Sequence, residues 1–331
     1  MCRLWLLLAS TLLLSTAAHG ASVKRAADNT AVAGASTAAD NCSVDTGLVL
    51  YWGQNSYGAA NPQDKPNWEG RLAQYCRSGL VGTVVLSFMH IFGRGRSQMN
   101  FANHCDPDIL FPNTQLMNCP ELQEDVVICQ NLGVKVELGL GGAAGSYGLS
   151  DDASAVAFAE ELWGLAFGGT NAARPFGNSS LDGVNLDIEG GSSTGYARFV
   201  NRLRELHSAS TASKRPLIVT AAPQCPYPDA YMHDVIMNAQ IDAVYVQFYN
   251  NYCGVQAFGT SNFNFDIWDL WSRTYAKRPG AKIYLGIPAS ATAAGSGYVS
   301  ATRLREIING VSRYPSFGGV MMWDSSQAFA N

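Results

Sequence analysis

Apolar positions along the chain fall into two alternating periods: short runs of β type and longer stretches of helical type. The runs Gly47 to Trp52, Thr83 to Phe92, Val134 to Leu140, Leu181 to Gly191, Leu217 to Ala222, Ala243 to Tyr249, Ile283 to Ile287 and Val320 to Trp323 each predict a strand. Between them, helices are predicted over Pro66 to Cys76, Cys119 to Leu132, Ala153 to Leu165, Tyr196 to His207, Ala230 to Asn238, Phe265 to Ala276 and Thr302 to Val311. The amphipathic three- and four-residue step is plain in Ala153 to Leu165. Strands that alternate with helices imply parallel βαβ units. Over this length the economical closure is a (β/α)8 barrel. A doubly wound open sheet is the alternative. It calls for a glycine-rich phosphate turn after the first strand, and Tyr51-Trp52-Gly53-Gln54-Asn55 is not one. Only Asp324 to Asn331 follow Trp323, so the helix after the eighth strand is expected to be missing. That would expose an apolar flank on the first and eighth strands.

The fourth strand departs from the others. Val184, Leu186 and Ile188 alternate with Asn185, Asp187 and Glu189. Period-two alternation puts one apolar face against a layer of helices and sets the two carboxyls side by side on the other face. Like charges that close raise one pKa, and a carboxyl that keeps its proton near neutrality serves as a general acid. Gly190 and Gly191 follow at once, which places the acids at the strand's C-terminal tip. A solvated acidic edge strand is the bland alternative, disfavoured by the aliphatic neighbours and the framing glycines.

Composition narrows the class. The 331 residues are 47% hydrophobic and 15% charged, enough for one large domain with a full core. A net charge of −4 gives no basic face for nucleic acid or an anionic membrane. Residues 1–20 read as a secretory signal: Arg3, an apolar Leu4 to Leu14, then small Ala17, Ala18 and Gly20. Residues 21–44 are Ala/Ser/Thr-rich and aperiodic, a pro-segment or linker before a catalytic body at 45–331. Secretion favours disulfides. Removing Cys2 with the leader leaves seven of the eight cysteines, an odd number, and Cys42 before the first strand is the expected odd one. No cysteine or histidine spacing suits zinc, so neither metal nor cofactor is expected. Asn41 and Asn178 begin glycosylation sequons.

In a parallel barrel the active site lies at the C-terminal strand ends. Tyr51 and Trp52, Phe88 and His90, Asp187 and Glu189, Gln247, Tyr249 and Asn250, and Trp323 and Asp324 all gather there. Aromatic faces pack on sugar rings, while amides and acids bind hydroxyls, so the set suits a carbohydrate.

Here the chain resembles glycoside hydrolase family 18, and within it the compact plant-type and fungal class III chitinases. The family's acidic motif, Asp-x-x-Asp-x-Asp-x-Glu, reads here as Asp182 to Glu189. Support comes from Tyr51 to Asn55, Leu140 to Gly148, Thr220 to Asp229, Val246 to Asn251, Ala294 to Val299 and Gly318 to Trp323, in order along the chain. The resemblance implies disulfides Cys76–Cys129, Cys105–Cys119 and Cys225–Cys253, and non-proline cis peptides at Ser87-Phe88 and Trp323-Asp324. It implies a secreted, monomeric chitinase that cleaves β-1,4 bonds between N-acetylglucosamine units, with endo action favoured by the short interval from Ile287 to Tyr298. Glu189 would be the acid and then the base, Asp187 would hold the 2-acetamido group, and Tyr249 would bond its oxygen. Tyr51, Gln247, Asn250, Trp323, Gly142 and Asn185 would contact substrate. A chitin-binding lectin or glycosidase inhibitor is the runner-up, but such relatives commonly lose the terminal acid, and Glu189 is intact.

Two positions depart from the family pattern. Its inner acid is Asn185 here, and the serine expected two residues before Gly141 is Gly139. Both lie beneath Asp187, so a rearranged pocket floor is expected, with an altered pH profile or a reduced rate.

Overall fold

The computed structural model describes residues 47–211 and 215–330. The leader, the 21–44 segment, Asn41 and Cys42 lie outside the described residues. The strands are β1 (Leu48–Trp52), β2 (Thr83–Phe92), β3 (Gln98–Met99), β4 (Lys135–Gly142), β5 (Ser146–Tyr147), β6 (Gly183–Ile188), β7 (Ile218–Ala221), β8 (Ala243–Gln247), β9 (Lys282–Pro288) and β10 (Phe317–Trp323). The helices are α1 (Ser56–Ala60), α2 (Leu72–Arg77), α3 (Pro120–Asn131), α4 (Asp152–Ala166), α5 (Tyr196–Ala209), α6 (His233–Asn238), α7 (Phe265–Thr274), α8 (Ala301–Val311) and α9 (Ser325–Ala330).

Eight strands pair in parallel in the order β1-β2-β4-β6-β7-β8-β9-β10, and β10 returns to β1. The sheet is therefore a closed barrel, not the open alternative. The two-residue strands β3 and β5 both pair with β2 near its C-terminal end.

Strand pleating sorts the apolar residues into two cores. Val184, Leu186 and Ile188 of β6 face outward and join Phe158, Ala159 and Leu162 of α4 and Phe199, Val200 and Leu203 of α5. Helix α4 starts where Asp151 accepts from the Ser154 N–H at 2.7 Å while Ser154 Oγ accepts from the Asp151 N–H, a reciprocal N-cap. Inside the barrel a smaller cluster of Val49, Tyr51, Val85, Phe88, Ala222, Ala243, Tyr245 and Met321 fills the bore. The register sets Gly139 beside Asn185, Gly141 beside Asp187, and Asn185 beside Thr220.

Three local expectations are revised. The stretch expected as one helix from Pro66 to Cys76 is a 3-10 turn at Lys65–Asn67 followed by α2. The cause is Glu69, whose buried carboxylate accepts from the Gly53 and Asn55 N–H groups and so turns inward from the helical path. The helix expected from Ala230 begins at His233, because Asp229 holds the Tyr231 and Met232 N–H groups in a turn. And helix does follow the last strand, as the six residues of α9. Asp324 caps it by accepting from the Gln327 N–H at 3.1 Å. Ser325 donates to Glu69 at 2.5 Å, and Phe329 meets Tyr75 edge-on at 4.9 Å. The expected bare flank is covered over that turn and a half.

All three disulfides form as expected, with Cα separations of 5.2 Å for Cys76–Cys129, 5.4 Å for Cys105–Cys119 and 5.9 Å for Cys225–Cys253. The Ser87-Phe88 and Trp323-Asp324 peptides are cis, as is Tyr227-Pro228. Asn178 is exposed.

Candidate active site

Strand β6 is interior to the sheet, between β4 and β7, so its polar side faces the bore and not solvent. Asp187 is 3% exposed. Glu189 follows the last strand residue and is only partly covered. Gln247, at the tip of β8, ties them together. Its Nε2 lies 3.0 Å from Asp187 Oδ1, 3.4 Å from Glu189 Oε1 and 3.2 Å from the Ala222 carbonyl.

Both acids titrate above the ordinary carboxyl range. For Asp187 the first cause is burial and the second is the charge of Glu189, partly offset by the Gln247 hydrogen bond. Glu189 is raised by burial and by Asp229, against the same hydrogen bond. Asp229 does not join the pair. Its oxygens already accept from the Gln224, Tyr231 and Met232 N–H groups. The two carboxyls interact at the mouth of the barrel, with the Gln247 amide between them.

Tyr249 is buried beside the pair, and its phenol is pushed well up by burial and by the charges of Asp187 and Glu189. Opposite stand three rings. Trp323 lies 5.6 Å from Tyr51 and stacks at 6.0 Å on Phe88. Gly142 is at the tip of β4 with φ +86°, and a β-carbon there would come within 2.9 Å of the Phe88 ring. Asn250 stands apart from the acids. It is exposed at the lip, and its Oδ1 accepts from the Ser296 N–H at 3.0 Å, tying two loops together.

The floor is built around Asn185. Tyr51 donates to Asn185 Oδ1 at 2.8 Å, and Asn185 Nδ2 donates to Thr220 Oγ1 at 2.8 Å. Thr220 donates in turn to Glu137 Oε2 at 2.6 Å, and Tyr245 donates to Glu137 Oε1 at 3.0 Å. A β-carbon at Gly139 would lie 2.8 Å from Phe88 Cδ1, so the Phe88 ring takes that space.

Sequence reasoning missed Glu137, Thr220 and Tyr147. Glu137 was the legible one, a lone acid in the apolar β4 run on the same side as Gly139 and Gly141. Tyr147 lies in a stretch already singled out. Its hydroxyl accepts from the Glu189 N–H at 3.2 Å and donates to the Gly142 carbonyl at 2.7 Å, which fixes the tip of β6 to that of β4.

The Glycosyl hydrolases family 18 model matches residues 47–308. The chain belongs to that family. Chitinase 1 of Rhizopus niveus is 47% identical over 298 residues, covering 89% of this chain and 57% of the relative. A family 18 chain of this length spans about half of the curated fungal relatives it matches. Among solved structures, the ICChI chitinase of Ipomoea carnea superposes with a TM-score of 0.71 at 29% identity, covering 85% of this chain and 95% of that one. The xylanase and alpha-amylase inhibitor protein XAIP-II of Scadoxus multiflorus gives 0.70 at 32% identity, with 86% and 94% covered.

Proposed function

We propose that this chain hydrolyses β-1,4 bonds between N-acetylglucosamine units of chitin, with the substrate's own acetamido group as nucleophile. The observation that carries the reading is the division of labour within the acid pair. Glu189 is only partly covered and titrates above the ordinary carboxyl range; Asp187 is sealed beneath it. The third nearby acid, Asp229, is committed to backbone N–H groups. Ordinary retaining glycosidases need a second open carboxylate about 5–5.5 Å from the acid, and family 18 is an exception to that rule.

In this mechanism Glu189 gives its proton to the glycosidic oxygen as the C1–O bond breaks. The acetamido carbonyl oxygen attacks C1 from the opposite face and forms an oxazolinium ion. Asp187 accepts the acetamido N–H and stabilises the cation, and the Tyr249 hydroxyl donates to the acetamido oxygen. Glu189, now a carboxylate, takes a proton from water, which opens the ring at C1 with overall retention. Trp323 packs beneath the sugar at the cleavage point, beside Tyr51, and Gly142 and Gln247 complete the pocket. Three disulfides and an exposed sequon at Asn178 support secretion.

The test follows anomers by NMR during hydrolysis of a chitin oligosaccharide, beside a Glu189→Gln control. The β-anomer should form first and only with Glu189 present. Formation of the α-anomer first excludes substrate assistance. Binding without turnover moves the chain to the lectin or inhibitor reading, which the likeness to the Scadoxus protein keeps in view.

A further inference from the structure

Glu137 is a carboxyl that the proposed chemistry does not use. It is 1% exposed in the bore of the barrel, two inward-facing positions of β4 below Gly141, the partner of Asp187. A buried acid is expensive unless its oxygens are satisfied. Here both are, by Thr220 of β7 and Tyr245 of β8. The groups facing it include Lys135 on its own strand and Asp242 just before β8, with Asn185 of β6 reached through Thr220. Tyr284 of β9 packs on Tyr245 at 5.0 Å, and Tyr51 of β1 feels the Glu137 charge. Burial outweighs the two hydroxyl donors and Lys135, and pushes this carboxyl up to about 8.

The donor directions matter. Glu137 Oε2 accepts the Thr220 hydroxyl proton, so the carboxyl's own proton, when bound, sits on Oε1 toward Tyr245. Thr220 can then serve Asn185 only as an acceptor. That orients the Asn185 amide with nitrogen down and oxygen toward Tyr51. The Tyr51 proton is thereby spent downward, and the hydroxyl presents only lone pairs to the pocket above.

We propose that Glu137 is a positioning residue of this site, acting through Thr220 and Asn185 to aim the Tyr51 hydroxyl and so to set the protonation of Asp187. It stands in for the carboxyl that position 185 lacks, one layer deeper in the barrel. The inference rests on the hydrolase reading given above. A leucine at 137 offers Thr220 no acceptor. The Thr220 hydroxyl then turns to Asn185, Asn185 flips, and the Tyr51 proton points at Asp187. Ionised Asp187 is then favoured.

The experiment is the pH profile of kcat for wild type, Glu137→Leu and Thr220→Val on a chitin oligosaccharide, with Tm measured on each. Both variants cut the chain, one at its end and one in the middle, and only the first removes the acid. The expected result is a kcat loss of about tenfold, with the lower apparent pKa of the acid pair falling by roughly one unit in both. Unmoved pH limbs in the folded variants overturn the proposal, even where Tm falls, because then Glu137 is only a structural acid. Should Glu137→Leu not fold, Thr220→Val alone decides by the same criterion. A readout without turnover separates this from the hydrolase reading. The infrared band of the Asp187 carboxyl, identified as the one lost in Asp187→Asn, should titrate differently in Thr220→Val than in wild type. If wild type does not hydrolyse the oligosaccharide, the function falls but that band still decides the fate of Glu137: a shifted titration supports the relay and an identical one ends it.

Discussion

Two acidic layers share the bore of this barrel and behave in opposite ways. The upper layer is Asp187 and Glu189, two carboxyls with one amide between them. The lower layer is Glu137, one carboxyl with a hydroxyl on each oxygen. Both are raised by burial, yet only the upper pair has an acid open to the cleft. Burial alone therefore raises an acid; exposure of one member to the cleft is what lets it serve as a proton donor. Donor supply matters too. The upper pair is short of donors, which leaves room for a substrate N–H on Asp187, whereas the lower acid is saturated.

The comparison breaks most sharply at Glu189. Glu189→Gln keeps the shape and removes the transferable proton, so kcat on chitin oligosaccharides should fall about 10²- to 10⁴-fold with binding retained. Retained turnover would leave the upper layer without its acid. Gln247→Leu tests the shared donor. A hydrogen bond to a charged group contributes about 1.5–3 kcal/mol, so kcat should fall roughly ten- to a hundredfold. That bond lowers both acids, so the kcat profile should also move to higher pH; a shift to lower pH would contradict the assignment. Gly139→Ser asks whether the floor tolerates a side chain under Phe88. Overpacking there should cost about 1–3 kcal/mol in chemical denaturation. A neutral result would mean that the Phe88 ring yields easily.

The remaining prediction concerns the lower layer. Glu137 is raised from its ordinary 4.5 to about 8, so in that window the folded chain binds more protons than the unfolded one. Its contribution is whole below the lower value and is lost as pH rises through the upper one. Tm should decline across that interval in wild type and more gently in Glu137→Gln. Parallel curves would place the titration elsewhere.

The alternating strands and helices, the acid pair on β6 and the order of the short motifs were all legible in the amino-acid string. They are local or periodic: residues two apart on a strand must share a face, whatever the rest of the chain does. The three disulfide pairings came instead from family likeness, since sequence alone does not set which cysteines meet. Tertiary structure decided what depends on distant neighbours. It turned Glu69 inward to hold the first loop and α9, ended the helical reading of Pro66 to Cys76, and put Phe88 where a side chain at position 139 would stand. It drew Asn250 away to the lip. Above all it joined Glu137 to Tyr51 through residues on two other strands, a chain no window of sequence contains. Barrel closure fixes that adjacency, because the register between parallel strands is set by packing across the whole sheet and not by any one strand.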